Sequence, residues 1–280
     1  MTHIQNEPPD MGFLPMTSVA NGIGEQIAPD VYGLTTQIVN VYFIRCQENP
    51  SQYVLVDAGM PKSEDTILKW AEKWFDGPPT SMILTHGHFD HIGAAVTLAE
   101  EWNIPVYAHP LEIPYLNGDR NYPKPDPTVN GGLVTELSPL FPNHGINLSE
   151  HIKELPSDGS VPGLQGWRWI HTPGHTEGHV SFFRDSDKVL LAGDAFVTVK
   201  QESLFKVLTQ KQEISGPPKY FTTDWTAAKE SVIKLASLEP EVAATGHGIP
   251  MNGEQLHQEL NKLVTEFDQI AKPKHGKYLN

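Results

Sequence analysis

The chain is poor in cysteine, poor in positive charge and free of long apolar runs, and each shortage closes off a class of protein. Its 280 residues include one cysteine, Cys46. A disulfide framework is excluded, and so is a zinc site built on several thiolates. Cys46 follows the strand-like Val41-Tyr42-Phe43-Ile44 and reads as a packed or edge residue. Lys and Arg total 20 against 34 Asp and Glu, for a net charge of −14. Binding to nucleic acid needs a basic stripe; none is present, so nucleic acid is not an expected partner. No apolar run approaches the ~20 residues that cross a bilayer, so no membrane association is expected. The opening MTHIQNEPPDMGFLP has neither the basic nor the apolar region of a secretory leader. A cytoplasmic location is the expectation. There is no internal repeat and no GxSxG elbow for a serine nucleophile. GIGEQI at Gly22 has Ile27 where a dinucleotide-binding fingerprint needs its third glycine.

What the chain does have is an alternation of short apolar strands and amphipathic helices. Val31–Leu34, Ile38–Arg45, Tyr53–Val56 and Ser81–Leu84 read as strands, rich in β-branched and aromatic residues. Ser63–Trp74 reads as a helix with Ser63 as N-cap and Ile67, Trp70, Ala71 and Trp74 on one face. Gly93–Trp102 reads as the next helix and Pro105–Ala108 as the next strand. Later strands are Trp167–Ile170, Val180–Arg184, Val189–Ala192 and Val242–Thr245; later helices are Thr226–Leu238 and Gly253–Ile270. This rhythm predicts an α/β sheet with helices outside, in a single domain over 1–280. Two excursions rich in Pro, Gly, Asn and Asp or otherwise irregular, at about 110–165 and 200–222, read as functional loops or lids.

Of the 13 histidines, several stand where a strand meets a loop. THGHFDHIG, residues 85–93, follows the strand ending at Leu84; HTPGHTEGH follows Ile170; Asp194 follows Leu190-Leu191-Ala192-Gly193; His247 follows Ala243-Ala244-Thr245-Gly246. Strand ends in an open α/β sheet gather at one edge, where such proteins place their sites. Neutral imidazole and carboxylate suit zinc and other borderline divalent metals. Residues i and i+2 of an extended segment point the same way, so His86 and His88 can reach one ion. Asp90 and His91, past the bend, are offset toward a second. Adding His175 to the first pair and His247 to the second leaves Asp194 as a two-oxygen bridge. A set shared in this way leaves each ion room for water, the catalytic rather than the structural arrangement.

HGHFDH fits the HxHxDH pattern of the metallo-β-lactamase-fold hydrolases, and PGHT, GD and TGHG fit that superfamily's remaining ligand motifs in order. The resemblance spans roughly Val31–Gly253. It implies an αββα sandwich, two sheets face to face with helices outside and a dinuclear metal site at one edge. Carried over by position, the ligands are the same seven: His86, His88, Asp90, His91, His175, Asp194 and His247. True β-lactamases carry cysteine or serine at the place of Asp194, so the chain resembles the hydroxyacylglutathione hydrolase and lactonase branch instead. Its Gly246-His247-Gly248 and single closing helix depart from glyoxalase II. Phe196 and Val197 stand near the place where homoserine-lactone lactonases have a tyrosine. Asp57 ends a strand and either makes a turn or supports a ligand histidine; His179 reads as a histidine that orients or packs behind the site. Thr85, Gly174, Gly178 and Gly193 read as backbone-shaping residues.

The implied activity is a metal-dependent hydrolase that uses a metal-bound hydroxide on an ester, thioester, lactone or similar acyl substrate. The implied cofactor is two divalent ions, zinc first, with manganese or iron as alternatives. Asp90 is the candidate to pass a proton to the leaving group. Phe89, Tyr115, Phe196 and Tyr220 are candidate pocket walls for a small-molecule substrate. A homodimer is compatible with the sequence. The competing readings are a phosphodiesterase on the same two-metal site and a mononuclear iron, persulfide dioxygenase-like oxidoreductase.

Overall fold

A computed structural model of the chain describes residues 17–279. The opening stretch, with His3, and the last residue lie outside the described residues. The first sheet takes its strands in chain order: β1 (Gly24–Ala28), β2 (Val31–Thr36), β3 (Val39–Arg45), β4 (Tyr53–Val56), β5 (Ser81–Ile83), β6 (Val106–Ala108) and β7 (Ile152–Glu154). Pairing is antiparallel from β1 to β4 and parallel from β4 to β7. Parallel neighbours need a crossover; α1 (Glu64–Trp74) and α2 (Ala95–Trp102) supply the first two. Between β6 and β7 the chain forms the short helices α3 (Ile113–Leu116) and α4 (Leu133–Leu137).

The second sheet is built from β8 (Ser160–Val161), β9 (Leu164–His171), β10 (Val180–Arg184) and β11 (Val189–Gly193), then, after a ribbon of β12 (Val197–Val199), α5 (Leu204–Thr209) and β13 (Gln212–Ser215), from β14 (Val242–Thr245) and β15 (Met251–Asn252). Its spatial order is β15-β14-β11-β10-β9-β8. Helix α6 (Trp225–Ala236) is the crossover that lets β14 lie parallel to β11. Asp224 caps it by accepting the backbone N–H groups of Thr226 and Ala227 at 3.0 and 2.9 Å. Helices α7 (Gly253–Thr265) and α8 (Phe267–Ile270) close the chain.

Side-chain alternation along the strands sorts the core into layers. On β3, Val41 and Phe43 pack with Ile67 and Ala71 of α1 and Leu98 of α2, while Tyr42 and Ile44 turn the other way. On β11, Leu190 packs with Val232 of α6 and Leu260 of α7, while Val189 and Leu191 turn inward. The inward sets of both sheets share one cluster with Val54, Val56, Ile83, Val180, Phe182 and Ala244. Three apolar layers therefore separate four structural layers, the expected αββα sandwich. Emptying the inter-sheet layer by Phe182→Ala, at a residue 0% exposed, costs about 3–5 kcal/mol.

The excursions are more ordered than their composition predicts. The first holds α3, α4 and a 3-10 turn at Ser138–Leu140, and ends in β7 and β8, each of which adds an edge strand to one sheet. Strands of three and two residues are too short to carry an alternating pattern, which is why they escape a sequence reading. The β1 strand escapes for a different reason: none of its five residues is buried, and Glu25 and Gln26 are exposed, so it shows no apolar face. Ser63 does stand at the N-cap of α1, but its hydroxyl makes no capping bond.

Candidate metal centre

Four strand ends deliver the seven candidate ligands to one place. HGHFDH follows β5, His175 lies between β9 and β10, Asp194 follows β11, and His247 follows β14. Three overlapping groups can hold an ion: His86 with His88 and His175; His86 with His91 and Asp194; Asp90 with His91 and His247. In the first, His88 Nδ1 lies 3.1 Å from His86 Nε2 and 2.9 Å from His175 Nε2. In the last, His247 Nε2 lies 3.4 Å from Asp90 Oδ2. Asp194 faces both: Oδ1 is 3.5 Å from His91 Nε2, and Oδ2 is 3.5 Å from His175 Nε2 and 3.3 Å from His247 Nε2. All seven are buried, Asp90 being the most exposed at 8%.

The outer ring nitrogens fix which atoms face inward. His247 Nδ1–H donates to the Ile38 carbonyl at 3.0 Å, and His91 Nδ1–H donates to Asp57 Oδ2 at 2.9 Å. Thr222 spends its own proton on the Pro218 carbonyl at 2.8 Å, so its hydroxyl accepts from His175 Nδ1–H at 3.1 Å. Thr85 likewise donates to Asp57 Oδ2 at 2.8 Å and accepts from His86 Nδ1–H at 3.1 Å. Each of these four histidines thus turns its Nε2 to the centre. Asp57 is held by the backbone N–H of Thr85 at 2.8 Å, with φ of 60°, a left-handed conformation that a short polar side chain tolerates. It supports a histidine and is no mere turn. His179 Nε2 accepts the backbone N–H of Asp194 at 2.9 Å, and its Nδ1–H donates to Thr172 Oγ1, also at 2.9 Å; it orients the loop that carries the carboxylate.

The donor set fits two divalent ions. Three ring nitrogens with inward lone pairs repel one another at 2.9–3.1 Å unless a cation lies among them. His91 Nε2 and Asp194 Oδ1 are buried and have no hydrogen-bond partner among the described residues, a cost that metal coordination removes. A Cβ on Gly246 would lie 2.1 Å from Asp194 Oδ1, so the glycine keeps that oxygen accessible. Burial pushes His86 and His175 well below the usual imidazole range and His88 down to about 4. Burial opposes charge on His247 too, but Asp194 and Asp90 outweigh it and raise that pKa to about 9. His91 is raised in the same way, burial being outweighed by Asp194 and Asp57. Burial would raise Asp194, but His247 and His91 hold it well below the carboxylate range. The Asp194 carboxylate is therefore ionised.

A small cavity of about 120 Å³ opens beside His88 and His175, walled by Tyr115, Tyr122, Pro123, Thr176, Glu177, Phe221 and Thr223. Of the four aromatic candidates, Tyr115 lines it. Phe196 does not: it is fully buried in the layer between the second sheet and α6 and α7. Tyr220 packs in an apolar cluster with Val129, Val134, Phe141 and Phe221. Phe89 packs against that cluster and against the one containing Met60 and Val207, and is not part of the cavity wall. Nearness to a candidate ligand along the chain does not put a side chain in the cavity wall: Phe89 and Phe196 both pack into apolar clusters instead. Phe221, stacked 4.5 Å over His88, and Tyr122, 4.8 Å from it, do the walling instead. Thr85, read as shaping backbone, is a hydrogen-bond relay. Thr222, Thr172 and the buried Glu112 were also missed; the one available signal was an acid inside the apolar run Leu111–Leu116.

Comparison with known proteins places this centre in a family. The family model for the metallo-β-lactamase superfamily matches residues 34–247. The chain belongs to that superfamily and is a metallo-hydrolase. It is 52% identical over 260 residues to the probable metallo-hydrolase YflN of Bacillus subtilis, covering 92% of this chain and 98% of that one. The probable metallo-hydrolase YybB of the same organism is 28% identical over 210 residues, 75% of this chain and 80% of that one. Among solved structures, TTHA1623 in a di-iron-bound form is 26% identical, with a TM-score of 0.53 over 76% of this chain and 89% of that one. The B3 metallo-β-lactamase BLEG-1 is also 26% identical, with a TM-score of 0.57 over 87% of this chain and 100% of that one. Among the described residues no helix is long and apolar enough to cross a membrane.

Proposed function

We propose that the chain is a dinuclear hydrolase of small acyl substrates: an ester, thioester or lactone. The observation that carries this reading is Asp194, whose two oxygens face His91 on one side and His175 and His247 on the other. His86, His88 and His175 would hold one ion, Asp90, His91 and His247 the other, with Asp194 shared. When bound, the ions supply Lewis acidity, bringing the pKa of a water toward ~7 and polarising a carbonyl. The donor set favours zinc, while the di-iron form of TTHA1623 keeps iron as the alternative.

The protein's own residues do the rest. Burial would raise the pKa of Asp90, but His247 and His91 lower it, so its carboxylate is ionised and able to take up a proton for the leaving group. The cavity admits substrate on the side of His88 and His175. Its aromatic walls suit a small apolar acyl group and keep bulk water out. Neither tyrosine has a proton to spare: Tyr115 donates to Glu177 Oε1 at 2.8 Å, and Tyr122 donates to Glu112. No side-chain hydroxyl of that pair is thus free to act as the proton donor to the substrate carbonyl. A small-molecule substrate, a cytoplasmic location and a homodimer belong to the same reading.

The test is metal analysis of purified protein followed by a hydrolysis panel on zinc-, manganese- and iron-loaded samples. Two ions per chain and turnover of aryl esters, thioesters or lactones support the proposal. Turnover confined to a bis-aryl phosphodiester shifts it to phosphodiesterase. One iron per chain with no hydrolysis overturns it.

A further inference from the structure

Glu112 is, among the described residues, the most enclosed acid outside the metal centre: a carboxylate 0% exposed, at the start of α3, whose hydrogen-bond donors include no basic side chain. Four donors converge on it. Oε2 accepts the backbone N–H of Gly87 at 3.0 Å and the hydroxyl of Tyr122. Oε1 accepts the hydroxyl of Thr176 at 2.6 Å and the backbone N–H of Gly178 at 3.0 Å. Gly87 lies between His86 and His88, and Thr176 follows His175. One carboxylate therefore grips both loops that carry the first ligand group and, through Tyr122, the loop that walls the cavity. The fit is tight. A Cβ on Gly178 would lie 2.8 Å from Glu112 Cγ, and one on Gly87 would lie 2.4 Å from the Tyr122 hydroxyl.

We infer that Glu112 is a positioning residue for the all-histidine half of the metal centre, holding the two ligand loops at the separation that closes His86, His88 and His175 on one ion. It touches neither an ion nor substrate. Its carboxylate satisfies two backbone N–H groups that the loops cannot pair internally. It joins segments more than sixty residues apart in the chain, from Gly87 and Glu112 to Gly178. Partners behind a ligand set typically contribute about 10–100-fold to metal affinity. In the second group His91 is held by Asp57 and His247 by the Ile38 carbonyl, and neither is a hydrogen-bond partner of Glu112. The effect of losing Glu112 should therefore fall on one ion.

This inference rests on the two-ion reading above. The Glu112→Gln variant keeps the volume, but its amide must place a donor against Gly87 or against Thr176 and Gly178. Metal-free wild-type and variant protein would be titrated with cobalt(II) against a competing chelator, following the cobalt absorption bands, with zinc repeated by calorimetry. The expected result is two binding steps in wild type, one of them weakened about 10–100-fold in Glu112→Gln and the other changed less than about threefold. Tyr122→Phe, which removes one donor of four and leaves the carboxylate in place, should weaken the same step by less than Glu112→Gln does. If Glu112→Gln weakens both steps equally together with thermal stability, or weakens neither, the residue holds the fold and the inference falls. If wild type takes up no second ion, the two-ion reading falls with it. Two steps in wild type unchanged in both variants overturn this inference alone.

Discussion

His86, His88 and His175 meet as three imidazoles that burial keeps neutral, with His88 Nδ1 3.1 Å from His86 Nε2 and 2.9 Å from His175 Nε2. Asp90, His91 and His247 meet instead as a carboxylate and two imidazoles whose pKa values are raised by carboxylates on either side. The same residue type is thus tuned in opposite directions within one centre. Around His86, His88 and His175 desolvation outweighs the pull of Asp194; around His91 and His247, where Asp57, Asp90 and Asp194 stand close, charge attraction decides. The first half offers an ion bare nitrogen donors with no proton to displace. The second offers more negative charge but, without an ion, holds protons that binding must release.

The largest effect expected is at the residue that joins the halves. Asp194→Ala should lower kcat by about a thousandfold, the several kcal/mol that a misplaced ion pair forfeits, with one ion retained per chain. Full turnover in that variant breaks the comparison at its root. Next comes Asp57→Asn, which disturbs the acceptor of His91 Nδ1–H directly and reaches the first group only at one remove, through the Thr85 hydroxyl beside His86. It should weaken one binding step about 10–100-fold, and an equal loss at both steps would show that the halves are not independently supported.

pH separates the halves without a mutation. His247, raised to about 9, and His91, raised well above 6.5, are protonated near neutral pH in the metal-free protein. Affinity of the second group should fall by up to about tenfold per pH unit per displaced proton as pH drops below 9. The first group, with His88 near 4, should hold its affinity over the same range. Chelator titrations at pH 8.5, 7.5 and 6.5 check this on scales of about one unit; parallel curves would sink it. Linkage gives the same contrast in the metal-free fold. The raised His247 contributes stability that is fully present below its unfolded pKa near 6.5 and is lost as pH rises through about 9. The lowered His88 costs stability as pH falls from about 6.5 toward 4, because the unfolded chain binds the proton first. The smallest effect is expected at the cavity rim. Tyr115→Phe removes one hydrogen bond to a half-exposed Glu177 and should change KM by less than about fivefold with kcat unaltered.

Much of this centre was legible along the chain. All seven candidate ligands sit within short motifs at strand ends, and the spacing of His86 and His88 already put them on one side. The sandwich was legible too, since β3, β4 and β11 alternate their apolar faces and a two-sided apolar strand needs a layer on each side. The lid was not. β7 and β8 are too short to show a period, and α3 and α4 are single turns. The aromatic walls were misassigned because Phe89 and Phe196 were judged by nearness to a ligand in sequence. Phe196 completes the layer under α6 and α7, while Phe221, 46 residues beyond His175, reaches the site through the fold.

The sequence by itself determined the identity and order of the candidate ligands, the lack of a multi-thiolate set, and the carboxylate that separates this chain from the β-lactamase pattern. These are local facts, carried by side chains whose neighbours along the strand set their direction. Only the tertiary structure decided which nitrogen of each ring faces inward, which histidines burial neutralises and which carboxylates charge, and that Glu112 binds Gly87 to Gly178. Those properties depend on desolvation and on contacts between distant segments, and both arise when the two sheets close on each other.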